Sequence, residues 1–473
     1  MKIRSVLTMG AAAAITVALG TAPAASAATP ASPGDFNGDG RRDVALGSPL
    51  GTVGGVAGGF VTVVYGGAAG PDTTRSQVIS QAGPGVPGDV TADSRFGASL
   101  ASADFDRDGY ADLAIGAPFE DVDGSVNAGS VTVVYGSAGG LSSRAARFVL
   151  APSLRVHKAR FGESLAAAEF ASGGAPDLAV AAPGGEAIWV YDDVATAGTS
   201  GTRVPLNDVE NHVSEIRLIA ADFTGDGRPD LVTSRLNNLD GIDIGRVDLY
   251  SGSASGLSLL VPNAAPGGRQ AAAGDINGDG RADLVTRMFE SEDPEVNGGT
   301  VAVNLATGTG FRRQLLVTQD TSGVPGTGEQ GDGFGAGLAV GDLNGDGKGD
   351  VAIGAPGEDI GTVADAGAFT VLYGTASGVT TAGAQQIGQN TADVPGNAET
   401  RDAFGYELSV ANVTGDAKAD LTVSAYGENG TEGAVWLFPG RAGGLTGAGS
   451  TAFNPVTLGI SGRTAHLGDV MLP

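Results

Sequence analysis

The chain has 473 residues, with 27 Lys and Arg against 53 Asp and Glu, a formal charge of −26 that argues against nucleic acid or an anionic membrane as partner. Three His and no Cys exclude thiolate zinc sites, disulfide frameworks and thiol nucleophiles, so a metal must be held by oxygen, which favours calcium or magnesium. A hydrophobic fraction of 41% beside 80 Gly marks a folded, turn-rich protein and excludes a disordered chain.

At the amino end, Lys2 and Arg4 precede an apolar run over 6–20, and Ala25-Ser26-Ala27 fits the small-residue cleavage pattern of a Sec-type signal peptide. The run falls short of the ~20 residues a spanning helix needs. Cleavage is expected after Ala27, leaving residues 28–473 as a secreted, extracellular domain without membrane insertion.

From there one phrase recurs. It reads DFNGDGRRDVALG from Asp35, DFDRDGYADLAIG from Asp104, DFTGDGRPDLV from Asp222, DINGDGRADLV from Asp275 and DLNGDGKGDVAIG from Asp342. A weaker version starts at Asn412, where Ala417 replaces a glycine, and a degenerate one at Glu169, with Ala171 and Gly173 at ligand positions. Phe-Gly precedes the phrase at Phe96-Gly97, Phe161-Gly162, Phe334-Gly335 and Phe404-Gly405. Gly-Ala-Pro or a relic follows it at Gly116-Ala117-Pro118, Ala181-Ala182-Pro183 and Gly354-Ala355-Pro356, and a later apolar run ends in Tyr-Gly. Each unit reads as four short strands of four to seven residues, rich in Val, Ile, Leu and Tyr and bounded by Gly, Pro and Asp. Apolar residues at successive positions suit strands covered on both faces. The expected fold is all-β, a seven-bladed β-propeller of four-stranded antiparallel blades. Because the first unit lacks its Phe-Gly strand, the segment 466–472 at the carboxyl end is expected to complete that blade and close the ring. Trp189 and Trp436 fall at the same place in their units' third strands, which reads as core packing.

The loop carries the chemistry. Oxygen side chains fall at positions 1, 3, 5 and 9, glycine at 6 permits the sharp turn, and the carbonyl of position 7 adds a ligand. The candidate sites are Asp35, Asn37, Asp39, Arg41 and Asp43; Asp104, Asp106, Asp108, Tyr110 and Asp112; Asp222, Thr224, Asp226, Arg228 and Asp230; Asp275, Asn277, Asp279, Arg281 and Asp283; and Asp342, Asn344, Asp346, Lys348 and Asp350. The Asn412, Thr414, Asp416, Asp420 loop is a doubtful sixth, and the Glu169 loop is expected to be empty. An EF-hand is excluded, because position 12 is Leu46, Ile115, Thr233, Thr286, Ile353 or Val423 and never Glu, and strands follow instead of a helix. About five Ca2+ ions are expected, acting mainly as structural staples where disulfides are missing.

These units resemble FG-GAP repeats, found in the seven-bladed propeller of integrin α subunits and in many secreted bacterial proteins. The resemblance covers nearly all of the mature chain, and it implies calcium at the loop residues named above. It implies adhesion only weakly, since no leg domains, membrane helix or inserted adhesion domain are expected here. Up-and-down blades place the Asp-rich loops on one face. The second-to-third loops and interblade links lie on the other, at 119–128, 289–299, 357–366 and 391–402, carrying Glu120, Asp121, Asp123, Glu290, Glu292, Asp293, Glu295, Glu358, Asp359 and Asp365. The expected function is an extracellular binding or adhesion module, a monomer with an unidentified protein or glycan partner. The alternatives are a lectin-like propeller, or a hydrolase or lyase on the same scaffold. No catalytic constellation is legible: His157, His212 and His466 sit in different units, and no carboxylate pair can be picked from 53 acidic residues.

Overall fold

Val131 and Val133 on one face of a strand and buried Thr132 and Val134 on the other leave no face for water, so such strands are stable only between two covering layers. The computed structural model supplies those layers as seven four-stranded sheets, packed side by side around an axis. It describes residues 30–473 apart from 193, 196–199, 208–212, 240–241, 269, 289–297, 417 and 461–464. The expected signal peptide, His212, Ala417, and Glu290, Glu292, Asp293 and Glu295 lie outside the described residues.

Every sheet is antiparallel, and its strands run outward from the axis. Blade 1 comprises Val470–Met471, Val44–Ser48, Phe60–Gly67 and Gly70–Ile79, and blade 2 Ser99–Ala103, Asp112–Ala117, Ser130–Val134 and Ala145–Phe148. Blade 3 holds Leu165–Ala168, Asp177–Ala182, Ala187–Tyr191 and Thr202–Pro205, and blade 4 Val213–Ala221, Asp230–Leu239, Ile242–Ser251 and Ser258–Ala265. Blade 5 holds Ala271–Gly274, Asp283–Arg287, Val301–Ala306 and Phe311–Val317, and blade 6 Leu338–Gly341, Asp350–Ala355, Ala368–Thr375 and Gly378–Ile387. Blade 7 is Phe404–Ala411, Asp420–Ala425, Ala434–Phe438 and Thr451–Phe453. The carboxyl-terminal strand completes blade 1, as the missing Phe-Gly strand requires. The innermost strands together line an axial channel of about 680 Å³.

The repeated motifs are the joints between blades. Phe96, Phe161, Phe334 and Phe404 are fully buried, and each donates its backbone N–H to the preceding blade, to Gly58, Ala128, Gly298 and Ala366 respectively. The glycine of Gly-Ala-Pro exists for close approach: a Cβ on Gly116 would stand 2.1 Å from the Gly162 carbonyl oxygen, and one on Gly354 would stand 1.9 Å from that of Gly405. Phe-Gly of one blade therefore locks onto Gly-Ala-Pro of the blade before it. The Tyr-Gly tyrosines reach forward as well, Tyr65 OH accepting from Leu141 N at 2.9 Å and Tyr373 OH from Leu445 N at 3.1 Å.

Two expectations need correction. Strands reach ten residues, longer than the four to seven read from sequence, in the outermost strands of blades 1 and 6 and in the second and third strands of blade 4. With neither Phe-Gly nor Gly-Ala-Pro to turn the chain away, the second and third strands of blade 4 run on to a pairing of Leu239 with Ile242. Their core holds an Arg235–Asp248 ion pair with both side chains fully buried, joined by Asn237 and Thr233. Secondly, Glu120 and Glu358, read as part of an acidic surface, are buried between blades, while Asp121, Asp123, Asp359 and Asp365 are exposed. Trp189 and Trp436 are core residues, 8% and 2% exposed.

Candidate metal centres in the Asp-rich loops

Each loop leads into the second strand of its blade, from the first strand in every blade but blade 1, and lies beside the third-to-fourth turn of the next blade; Ser137 N, for example, donates to Phe36 O at 3.2 Å. Its aspartates organise the backbone before any ion is considered. At position 1, Asp35 accepts from Asp39 N at 3.0 Å and Gly40 N at 2.9 Å. Asp104, Asp222, Asp275 and Asp342 make the same pair of bonds to positions 5 and 6, at 2.8 to 3.2 Å. At position 5, Asp39, Asp108, Asp226, Asp279 and Asp346 accept from the N–H of Arg41, Tyr110, Arg228, Arg281 and Lys348 at 2.9 to 3.0 Å. Position-6 glycines such as Gly40 and Gly280 take φ of +83° and +85°, which side chains with a Cβ resist.

Position 9 has a role that the ligand pattern did not reveal. Asp43, Asp112, Asp177, Asp230, Asp283, Asp350 and Asp420 are all buried, and one oxygen of each accepts the N–H of position 2 at 2.8 to 3.0 Å. In six blades the other oxygen accepts an N–H at the end of the third strand, from Gly66, Gly136, Gly252, Ala306, Gly374 or Gly440. This carboxylate pins the hairpin to its sheet. Burial pushes Asp43 and Asp112 up to about 7, and Asp177, Asp283 and Asp350 up to about 6, against the lowering effect of those N–H donors. The signal was present in sequence, because Asp177 persists in the Glu169 unit, where the other ligand positions are lost.

The donors fit a hard cation. Carboxylate oxygens of Asp104, Asp106 and Asp108 lie within 4.8 Å of one another, a spacing at which two charges repel by about 3 kcal/mol at an effective dielectric of ~20, before solvent screening. Thr224 Oγ1, at position 3 of its loop, is buried without a hydrogen-bond partner. Neighbouring cations take up part of the charge: Arg144 pairs with Asp106, Arg281 with Asp279 at 3.4 Å and Lys348 with Asp346 at 3.7 Å. In the weaker loop, Lys418 pairs with Asp416 at 3.0 Å and Asn412 accepts from Gly415 N at 2.8 Å.

The FG-GAP repeat model matches residues 31–64, 96–134, 267–303, 334–372 and 404–438. The protein carries five FG-GAP repeats. They fall in blades 1, 2, 5, 6 and 7, so blades 3 and 4 hold the Glu169 and Asp222 loops outside matched repeats. Phosphatidylinositol-glycan-specific phospholipase D of Homo sapiens is 35% identical over 159 residues, 29% of this chain and 18% of that protein. Integrin alpha pat-2 of Caenorhabditis briggsae is 34% identical over 231 residues, 43% of this chain and 17% of that protein. Integrin alpha-PS5 of Drosophila melanogaster is 32% identical over 166 residues, 33% of this chain and 15% of that protein. The chain thus spans less than a fifth of the length of these relatives.

Proposed function

We propose that the protein is an extracellular binding module, in which calcium at the Asp-rich loops staples a rigid propeller and the opposite face engages a partner. The observation that carries this reading is the loop itself, repeated with oxygen at positions 1, 3, 5 and 9 in five blades. Side chains of positions 1, 3, 5 and 9 and the carbonyls of Arg41, Tyr110, Arg228, Arg281 and Lys348 would hold the ions. Bound calcium supplies positive charge that offsets the carboxylate repulsion and adds stability through its preference for the folded state.

Adhesion is supported by the integrin alpha relatives, and export by the amino-terminal pattern at 1–27. No helix among the described residues is long and apolar enough to cross a membrane. The far face offers the exposed carboxylates Asp121, Asp123, Asp359 and Asp365, which favour a cationic or metal-bridged partner over nucleic acid. A sugar-stacking platform has less support, because both tryptophans are inside the core.

The test is a panel of immobilised extracellular proteins and glycans, probed with purified protein in calcium and in chelator. Calcium-dependent capture that is lost when Asp121, Asp123, Asp359 and Asp365 are changed to Lys supports the reading. Capture that survives this charge reversal contradicts it.

A further inference from the structure

The link from blade 5 into blade 6 encloses a second cluster of oxygens, on the face opposite the Asp-rich loops. Gln319 is 1% exposed; its Nε2 donates to Glu358 Oε2, while its Oε1 is buried with no hydrogen-bond partner. At the point where a Cβ on Gly298 would stand, three oxygens converge: Gln319 Oε1 at 3.1 Å, the Glu329 carbonyl at 3.1 Å and Asp332 Oδ2 at 3.3 Å. Asp332 is 3% exposed and Glu358 9%, and Glu358 Oε1 accepts from Gln386 Nε2 at 3.1 Å. Turning the Gln319 amide around would set its oxygen against Glu358 instead, so in either orientation an amide oxygen meets a carboxylate away from water. That arrangement calls for positive charge. Among the described residues neither carboxylate has an ion-pair partner, and the other charged groups bearing on both are Glu329 and Asp359, themselves acidic.

The corresponding place between blades 1 and 2 supplies the contrast. Glu120 stands two residues after Gly116-Ala117-Pro118, as Glu358 does after Gly354-Ala355-Pro356. Glu120 pairs with Arg147 at 2.6 Å, and Ser94 occupies the position of Asp332, two residues before Phe-Gly. Arg147 lies opposite Thr132 as Gln386 lies opposite Thr370. One pocket carries its own guanidinium. The other has exchanged it for an amide and gained a carboxylate.

We propose that the pocket between blades 5 and 6 binds a divalent cation, calcium by its all-oxygen donor set, through Gln319 Oε1, Asp332 and the Glu329 carbonyl, with Glu358 holding the Gln319 amide in place. This ion joins two blades, whereas each loop site lies within one blade, and it does not depend on the occupancy of those loops.

The full-length protein, stripped with chelator and returned to calcium chloride, is compared with the double variant Asp332→Ser, Gln386→Arg, which rebuilds the pocket in the form found between blades 1 and 2. The variant is expected to bind one calcium ion fewer per chain. An equal count in the two proteins overturns the proposal. If the variant does not fold, wild-type crystals soaked in manganese chloride decide: an anomalous peak between Gln319 and Asp332 is expected, and peaks confined to the Asp-rich loops overturn it.

Discussion

Met471 pairs with Leu46 across an antiparallel ladder, so the last strand of the chain is the innermost strand of the first blade. Both side chains are buried in a cluster that also contains Val64, Val435 and Leu467, which binds blade 1 to blade 7. Ring closure rests on this short strand. Met471→Ala is expected to cost about 2 kcal/mol, at the low end for a buried Met truncation because the strand is terminal, measured by denaturant unfolding. An unchanged midpoint would mean the ring is held elsewhere.

Asp177, the position-9 aspartate of the loop expected to be empty, separates backbone pinning from metal binding. Asp177→Ala leaves Phe170 N and Ala171 N without their acceptor and is expected to cost about 1–3 kcal/mol, equally in calcium and in chelator. Asp279→Ala, at an exposed position 5, is expected to lower Tm in calcium only. Thermal melts of both variants in the two buffers check the distinction.

Arg235 and Asp248 form a fully buried pair in blade 4. Arg235→Met alone strands the Asp248 carboxylate and is expected to cost about 3–5 kcal/mol, whereas the double change Arg235→Met, Asp248→Leu recovers most of that loss. Equilibrium unfolding of the single and double variants measures the coupling directly.

Asp469, in the segment leading to the closing strand, is pushed from 3.8 up to about 7 by burial and by the nearby Glu407 carboxylate. The folded state therefore holds this proton more tightly than the unfolded chain. The corresponding stability is fully present below about 3.8 and is lost as pH rises through about 7. Asp469→Asn is expected to raise Tm at pH 8 and leave it unchanged at pH 4, read by calorimetry of variant and wild type at both values.

Much of this was legible because the repeat restates itself. Phe-Gly, the Asp-rich phrase and Gly-Ala-Pro fix the order of strands within a blade, and the missing first Phe-Gly strand pointed to closure by the carboxyl end. Long-range contacts were harder to read. Glu120 and Glu358 looked like surface charge because their partners, Arg147, Gln319 and Gln386, lie on other strands or in the neighbouring blade's link. The Arg235–Asp248 pair was invisible for the same reason, since two charges in a strand announce nothing until the fold buries them together. Gly116 reads as a turn residue in sequence, yet the Gly162 carbonyl of the next blade is what requires it.

The central claim is that calcium at the Asp-rich loops staples the propeller. Thermal unfolding of the full-length protein with and without excess chelator, with bound calcium counted on the same sample, tests it most directly. At tenfold excess over its dissociation constant, each ion contributes about 1.4 kcal/mol, so loss of five removes about 7. Five or more bound ions and a large fall in Tm on chelation are expected. A protein that binds no calcium and melts at the same temperature in both buffers would contradict it.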